Sequence, residues 1–130
     1  MAVSKTLPIL VVDDYRTMVR IVQGFLTQIG FSNLDEASDG AEAYEKMLIR
    51  RPRYGLVIAD WNMEPMSGVD LLRKVRADPS LHDTPFILAT AESKRENVMA
   101  AKEAGVNNYI IKPFTADTLK HKIKAVLGDF

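Results

Sequence analysis

No cysteine occurs among the 130 residues, which excludes disulfides, thiol catalysis and Cys-ligated zinc. Histidine is scarce: His82 and His121 are the only two and lie in unrelated segments, so both are expected at the surface, not as catalytic or zinc ligands. No apolar run is long enough to span a membrane, and MAVSKTLP lacks the apolar region of a signal peptide. A soluble cytoplasmic protein that engages no membrane is therefore expected. Net charge is missing too: Lys plus Arg is 17 and Asp plus Glu is 17, which argues against a nucleic-acid-binding domain, since such domains are usually basic. The sequence contains no repeat and no low-complexity linker. Its one dense charge run, Arg50, Arg51 and Arg53, reads as a helix end and loop, because Pro52 sits inside it and a strand-like run follows. The length suits one domain over residues 1–130, built on one core.

What is present is an alternation of short apolar runs with helical patterns. Ile9 to Val12, a weaker Leu34 to Ala37, Leu56 to Ala59, Phe86 to Ala89 and Tyr109 to Ile111 read as buried strands, too short for helices and mostly rich in β-branched residues. Met18, Ile21, Val22, Phe25 and Ile29 fall at helical spacing before Gly30. Similar patterns follow the Asp39-Gly40 turn and Gly68, precede Gly105, and close the chain at Leu119, Ile123, Val126 and Leu127. A strand followed by a helix, five times over, implies an α/β fold: a parallel sheet covered by helices on both faces.

Sites in such sheets form outside the carboxyl ends of the strands. There the sequence places Asp13 and Asp14 after the first strand, Asp60 after the third, Thr90 after the fourth, and Lys112 with Pro113 after the fifth. Each residue alone is unremarkable, because a lone Asp after a strand is usually a turn or cap. Their joint placement at successive strand ends is what points to a site. Three carboxylates against one ammonium leave an excess of two negative charges, which a divalent cation would cancel. An all-oxygen donor set suits Mg²⁺. Carboxylate, Mg²⁺, lysine and hydroxyl together describe phosphoryl transfer, with Asp60 as the best nucleophile.

At VVDDY, IADWNMEPMSG, ILATAE and YIIKPF the sequence resembles the receiver domains of bacterial two-component response regulators, and among them the single-domain chemotaxis regulators. The resemblance covers essentially the whole chain. It implies a flavodoxin-like five-stranded sheet in the order 2-1-3-4-5 with five helices. It implies Asp60 as phosphoacceptor, Asp14 as a direct Mg²⁺ ligand, Asp13 acting mostly through a metal-bound water, and the backbone carbonyl of Asn62 completing the ligands. It further implies Lys112 as the phosphate-pairing lysine aimed by a cis bond to Pro113, Thr90 as the switch hydroxyl, and Tyr109 as the aromatic that changes rotamer with it. Asn62 and Glu92 fall where the family tunes acyl-phosphate hydrolysis. Lys94, Arg95, Val98, Tyr109 and Lys122 fall on its output face.

The resemblance thus implies a monomeric signalling protein that takes a phosphoryl group from a histidine kinase and signals by protein binding, with a flagellar motor switch protein as the implied target. It is not an enzyme in the ordinary sense, although it would catalyse its own phosphorylation and dephosphorylation. Two other readings share much of the chemistry. A phosphate sink, or a regulator of another pathway, would differ only in its output. A small Mg²⁺-dependent aspartyl-phosphate phosphatase of the haloacid dehalogenase type would want a second acid two residues beyond the nucleophile, where Asn62 stands, and there is no room for a cap domain. One departure marks the loop after the acceptor. The family commonly has Met-Pro-x-Met-Asp-Gly, and here Met63, Glu64, Pro65, Met66, Ser67 and Gly68 occupy those places. The loop geometry is therefore open at this stage, and Glu64 is either a solvated residue or a source of negative potential near the site.

Overall fold

A computed structural model describes residues 3–91 and 95–130. In chain order the elements are β1 (Ile9–Val12), α1 (Arg16–Ile29), β2 (Leu34–Ala37), α2 (Gly40–Ile49), β3 (Leu56–Asp60), α3 (Gly68–Ala77), β4 (Phe86–Thr90), α4 (Arg95–Glu103), β5 (Asn108–Ile111) and α5 (Ala116–Leu127). The strands form one parallel sheet in the order β2-β1-β3-β4-β5.

Both faces of the sheet are covered, so β1, β3 and β4 are buried at every position and apolar up to their carboxyl ends, as a doubly covered parallel sheet requires. Successive side chains alternate between two core layers. Leu10, Val12, Val57, Ala59, Phe86 and Leu88 meet Ala43 and Met47 of α2, Leu71, Leu72 and Val75 of α3, and Ala101 of α4. Ile9, Val11, Leu56, Ile58, Ile87 and Ala89 meet Val19, Val22 and Leu26 of α1 and Leu119 and Ile123 of α5.

Local signals set the helix ends. The Asp39 carboxylate accepts from the Glu42 N–H (2.8 Å), and the Thr115 hydroxyl accepts from the Thr118 N–H (3.2 Å), each satisfying a donor of a helical first turn. Gly30 ends α1 at φ 118°, and its N–H donates to the carbonyls of Leu26 and Thr27. The basic run closes α2: Arg51 donates to the Leu48 and Arg50 carbonyls, and Arg53 to those of Met47 and Leu48. Cationic side chains on the last carbonyls of a helix are favoured by both hydrogen bonding and the helix dipole.

Two strands run one residue further than the apolar pattern indicates. Asp60 pairs with Ala89 and Thr90 pairs with Ile111, so both polar side chains are carried by ladder residues rather than by loops. The fifth strand starts one residue earlier, at Asn108.

Candidate functional site

The carboxyl ends of β1, β3, β4 and β5 meet along one edge of the sheet, and backbone hydrogen bonds continue across it. Asp13 N–H donates to the Ala37 carbonyl (3.2 Å), Trp61 N–H to that of Ala89 (2.8 Å), and Lys112 N–H to that of Thr90 (2.7 Å). The residues leaving the strands are thus fixed by the same ladder that fixes the strands.

On this floor Asp13, Asp14 and Asp60 each offer a carboxylate oxygen, and these atoms lie within 4.8 Å of one another. Asp13 and Asp60 are buried and Asp14 is exposed. The Lys112 ammonium sits 2.6 Å from Asp60 Oδ1 and 3.4 Å from Asp13 Oδ2. Asp13 Oδ1 accepts from the Tyr15 N–H at 3.0 Å, which fixes the direction of that carboxylate. Burial pushes the Asp13 carboxyl above its usual range. The Asp60 charge pushes the same way, against the Tyr15 N–H and the Lys112 ammonium. An ammonium shared by two carboxylates does not neutralise three, and the surplus is negative. The donors are all oxygen and converge on one point open to solvent through a depression lined by Asp14, Asn62, Met63 and Glu64. That donor set fits a hard divalent cation.

This crowding has a measurable consequence. Asp13→Asn keeps an oxygen for the Tyr15 N–H and removes one buried charge. In the presence of chelator the variant should melt a few degrees higher than the parent at pH 7. In excess Mg²⁺ that advantage should vanish, because the parent gains bound ion and the variant gains less. A metal-free melting temperature equal to or below the parent's would contradict the repulsion.

The remaining residues singled out by the sequence fall into place around this edge. Thr90 is buried at the end of β4. It lines a narrow crevice with Trp61, Asn97, Val98, Ala101 and Tyr109, so the strand-end hydroxyl and the β5 aromatic share one space beneath α4. The indole of Trp61 packs on this side, against the core, and not in the acidic depression. The Lys112–Pro113 peptide is cis, as are Arg51–Pro52 and Glu64–Pro65. Tyr109 is half-buried, and the Lys122 ammonium lies 5.1 Å from its ring centroid. Arg95 is exposed at the start of α4. Glu92 and Lys94 lie outside the described residues. Asn62 is exposed beside Asp14. His82 and His121 are exposed, each beside an aspartate of its own segment.

The loop that departs from the family pattern closes without a gap. The Ser67 hydroxyl accepts from the Asp70 N–H (3.2 Å), capping α3 in place of an acid. The Gly68 N–H donates to the Trp61 carbonyl (2.9 Å). Two apolar residues of α4 and β5 face out: Met99, which the sequence does not single out, is 50% exposed, and Ile111, which the apolar pattern places in a buried strand, is 40% exposed because β5 is an edge strand. Met99 directly follows Val98 on a helix with one buried residue, and that sparse burial is the signal that its apolar side chain faces out.

A doubly wound sheet with converging carboxylates and a lysine at its carboxyl edge defines an α/β domain suited to metal-assisted phosphoryl chemistry. Comparison with known proteins narrows the class. Residues 9–124 match the response regulator receiver domain, and the chain belongs to that family, whose members signal through phosphoaspartate in two-component systems. It is 46% identical over 123 residues to chemotaxis protein CheY-3 of Vibrio cholerae, covering 95% of this chain and 93% of that one. It is also 46% identical over 118 residues to chemotaxis protein CheY of Pseudomonas aeruginosa, covering 91% of this chain and 94% of that one. Among solved structures, chemotaxis protein CheY4 of Vibrio cholerae superposes with a TM-score of 0.86 at 30% identity, over 94% of this chain and 99% of that one. The receiver domain of sensor histidine kinase PA1611 from Pseudomonas aeruginosa shares the fold (TM-score 0.84, 23% identity, 95% of this chain and 99% of that one). That domain is described with a magnesium ion coordinated in its active site cleft.

Proposed function

We propose that Asp60 accepts a phosphoryl group from the phosphohistidine of a histidine kinase, and that the phosphorylated domain signals by binding another protein. The observation that carries this reading is the convergence of Asp60 with the Lys112 ammonium (2.6 Å) and the Asp13 and Asp14 carboxylates at one open edge. A carboxylate oxygen of Asp60 forms the new bond to phosphorus as the bond to the donor's nitrogen breaks, and the imidazole leaves with the electron pair. Lys112, released from pairing a bare carboxylate, holds a phosphoryl oxygen. Asp13, Asp14 and Asp60, with the Asn62 carbonyl, would hold Mg²⁺, which supplies positive charge against the phosphoryl oxygens. Asn62 and Glu92 would set the lifetime of the acyl phosphate.

The response is transmitted through side chains that already adjoin. Phosphorylation adds charge and acceptor oxygens at the end of β3, next to the Thr90 hydroxyl at the end of β4. Movement of Thr90 changes the crevice it shares with Tyr109 and Val98, and so biases a two-state equilibrium of the α4–β5–α5 surface. Arg95, Val98, Tyr109 and Lys122 belong to the elements of that surface, and the family resemblance adds Lys94, which lies outside the described residues. The names of the similar chemotaxis proteins support a chemotaxis regulator, and the family resemblance implies a cytoplasmic protein with a flagellar motor switch protein as its target.

Trp61 gives the test, because it is the only tryptophan and follows Asp60 directly. Its emission should change saturably on adding Mg²⁺. A second change should follow acetyl phosphate or beryllofluoride, only when Mg²⁺ is present. The beryllofluoride form should then retain the motor switch protein in a pull-down more strongly than the untreated form. A response to acetyl phosphate without divalent ion would overturn the mechanism. Phosphorylation without any gain in binding would instead identify a phosphate sink.

A further inference from the structure

The depression that Asp14 of the carboxylate cluster lines holds a second carboxylate that the mechanism above does not use. Glu64 is exposed in the β3–α3 loop and lines the depression with Asp14, Asn62 and Met63, none of which is cationic. Among the described residues no ammonium, guanidinium or N–H engages the Glu64 carboxylate. Lys112, the cation of the site, sits on the inner side, engaged with Asp60 and Asp13. The backbone on the helix side of Glu64 is pinned. Met66 lies against Gly40, so closely that a Cβ at position 40 would meet its sulfur at 2.8 Å. Ser67 caps α3, and the Gly68 N–H is bonded to the Trp61 carbonyl. The pinned backbone keeps the Glu64 side chain tethered beside the site, and charge of one sign at the rim of a concave site focuses the field on whatever enters.

We propose that Glu64 is a charge-selectivity residue of the phosphoacceptor site. It is a fixed negative charge at the mouth that favours entry of a divalent cation and opposes entry of small dianionic phosphodonors. The inference rests on the reading of Asp60 as the acceptor. One field acts on the two species with opposite sign, since Mg²⁺ carries two positive charges and acetyl phosphate is a dianion at neutral pH. The effect biases phosphorylation toward a protein donor, whose docking contacts offset the repulsion that a small molecule meets unaided. A glutamate at this position, instead of the family's common proline, thereby gives the site a preference that its other residues do not dictate.

Glu64→Gln removes the charge and keeps the shape. Two quantities are measured at low ionic strength: the Mg²⁺ dissociation constant from Trp61 emission, and the rate constant for acetyl phosphate at saturating Mg²⁺. A unit charge acting through water within a Debye length shifts such quantities by roughly two- to fivefold. Mg²⁺ should therefore bind the variant about two- to fivefold more weakly, while acetyl phosphate should react about two- to fivefold faster. Both differences should shrink at about 0.5 M salt, where the Debye length falls to roughly 4 Å. Glu64→Asp, which retains the charge, should behave nearly as the parent. Loop damage would worsen both quantities together, so that outcome overturns the proposal, as does no change in either quantity or a difference that survives high salt. If the parent itself gains no phosphoryl group, the acceptor reading fails, and the metal titration alone still decides whether Glu64 acts on the cation.

Discussion

Asp60→Asn should leave a folded protein that gains no phosphoryl group from acetyl phosphate or from a phosphorylated kinase. An amide oxygen is a far weaker nucleophile than a carboxylate, and no other acid occupies the same place. Asp13 is held by the Tyr15 N–H, and Asp14 points from the chain beyond β1 into the open depression. The substitution keeps the size of the side chain and an oxygen toward Lys112, which now lies 2.6 Å from Asp60. It also removes one of three crowded carboxylates, so the melting temperature of the metal-free form should not fall. Intact-mass measurement after incubation with Mg²⁺ and acetyl phosphate reads the result directly. The second step of the Trp61 emission change should disappear with it. A variant that still takes up one phosphoryl group per chain would remove Asp60 from the role.

A second large effect is expected at Gly68, where there is no room for one added methyl group. A Cβ built there falls 2.2 Å from the backbone oxygen of Asp60 and 2.9 Å from a methyl of Leu88. The leucine can move, but the carbonyl belongs to the last residue of β3 and cannot retreat without breaking the ladder to β4. Gly68→Ala should therefore cost about 3 kcal/mol, at the upper end for overpacking, and lower the melting temperature by roughly 10 °C. It should slow phosphorylation as well, because whatever yields carries Asp60 with it. A melting temperature within about 2 °C of the parent would show that the loop, not the strand, gives way.

The glycine illustrates what the sequence conceals. Element order, strand positions and the identity of the edge that bears the site are legible because they rest on local pattern: apolar runs, helical spacing, and polar residues where the runs stop. Ile9 to Val12 and Leu34 to Ala37 have the bounds read, but the second is an edge strand buried only at Ala37. The strands at Asp60 and Thr90 are longer than read, because hydrophobicity ends where function begins while the hydrogen-bond ladder continues one residue more. The clearance at Gly68 is invisible, since it depends on how far a loop folds back over its own strand. Long-range polar contacts are invisible for the same reason. The Tyr44 hydroxyl donates to Asp78 on the far side of two elements, and the Tyr54 hydroxyl donates to Asp35. The Arg76 guanidinium reaches the carbonyls of His82, Thr84 and Gly105 and the side chain of Asn107. Nothing in the spacing of those residues links them.

The backbone bonds that extend the ladder into the site bear on which changes of chain length the molecule tolerates. Asp13, Trp61 and Lys112 are each indexed to a particular carbonyl on the neighbouring strand. One residue inserted or deleted between a strand and these positions would turn the following side chain to the opposite face. The opposite edge has backbone bonds of its own, from the N–H groups of Ile9, Gly55 and Asn107 to the carbonyls of Asn33, Pro8 and Phe86, and adds side-chain ties. There Arg76, Arg51 and Arg53 reach carbonyls through long side chains, which can find a neighbouring carbonyl when a turn grows or shrinks. The spacing out of each strand into the acidic cluster thus acts as a ruler, in which one residue more or less turns a carboxylate or the lysine away from the site.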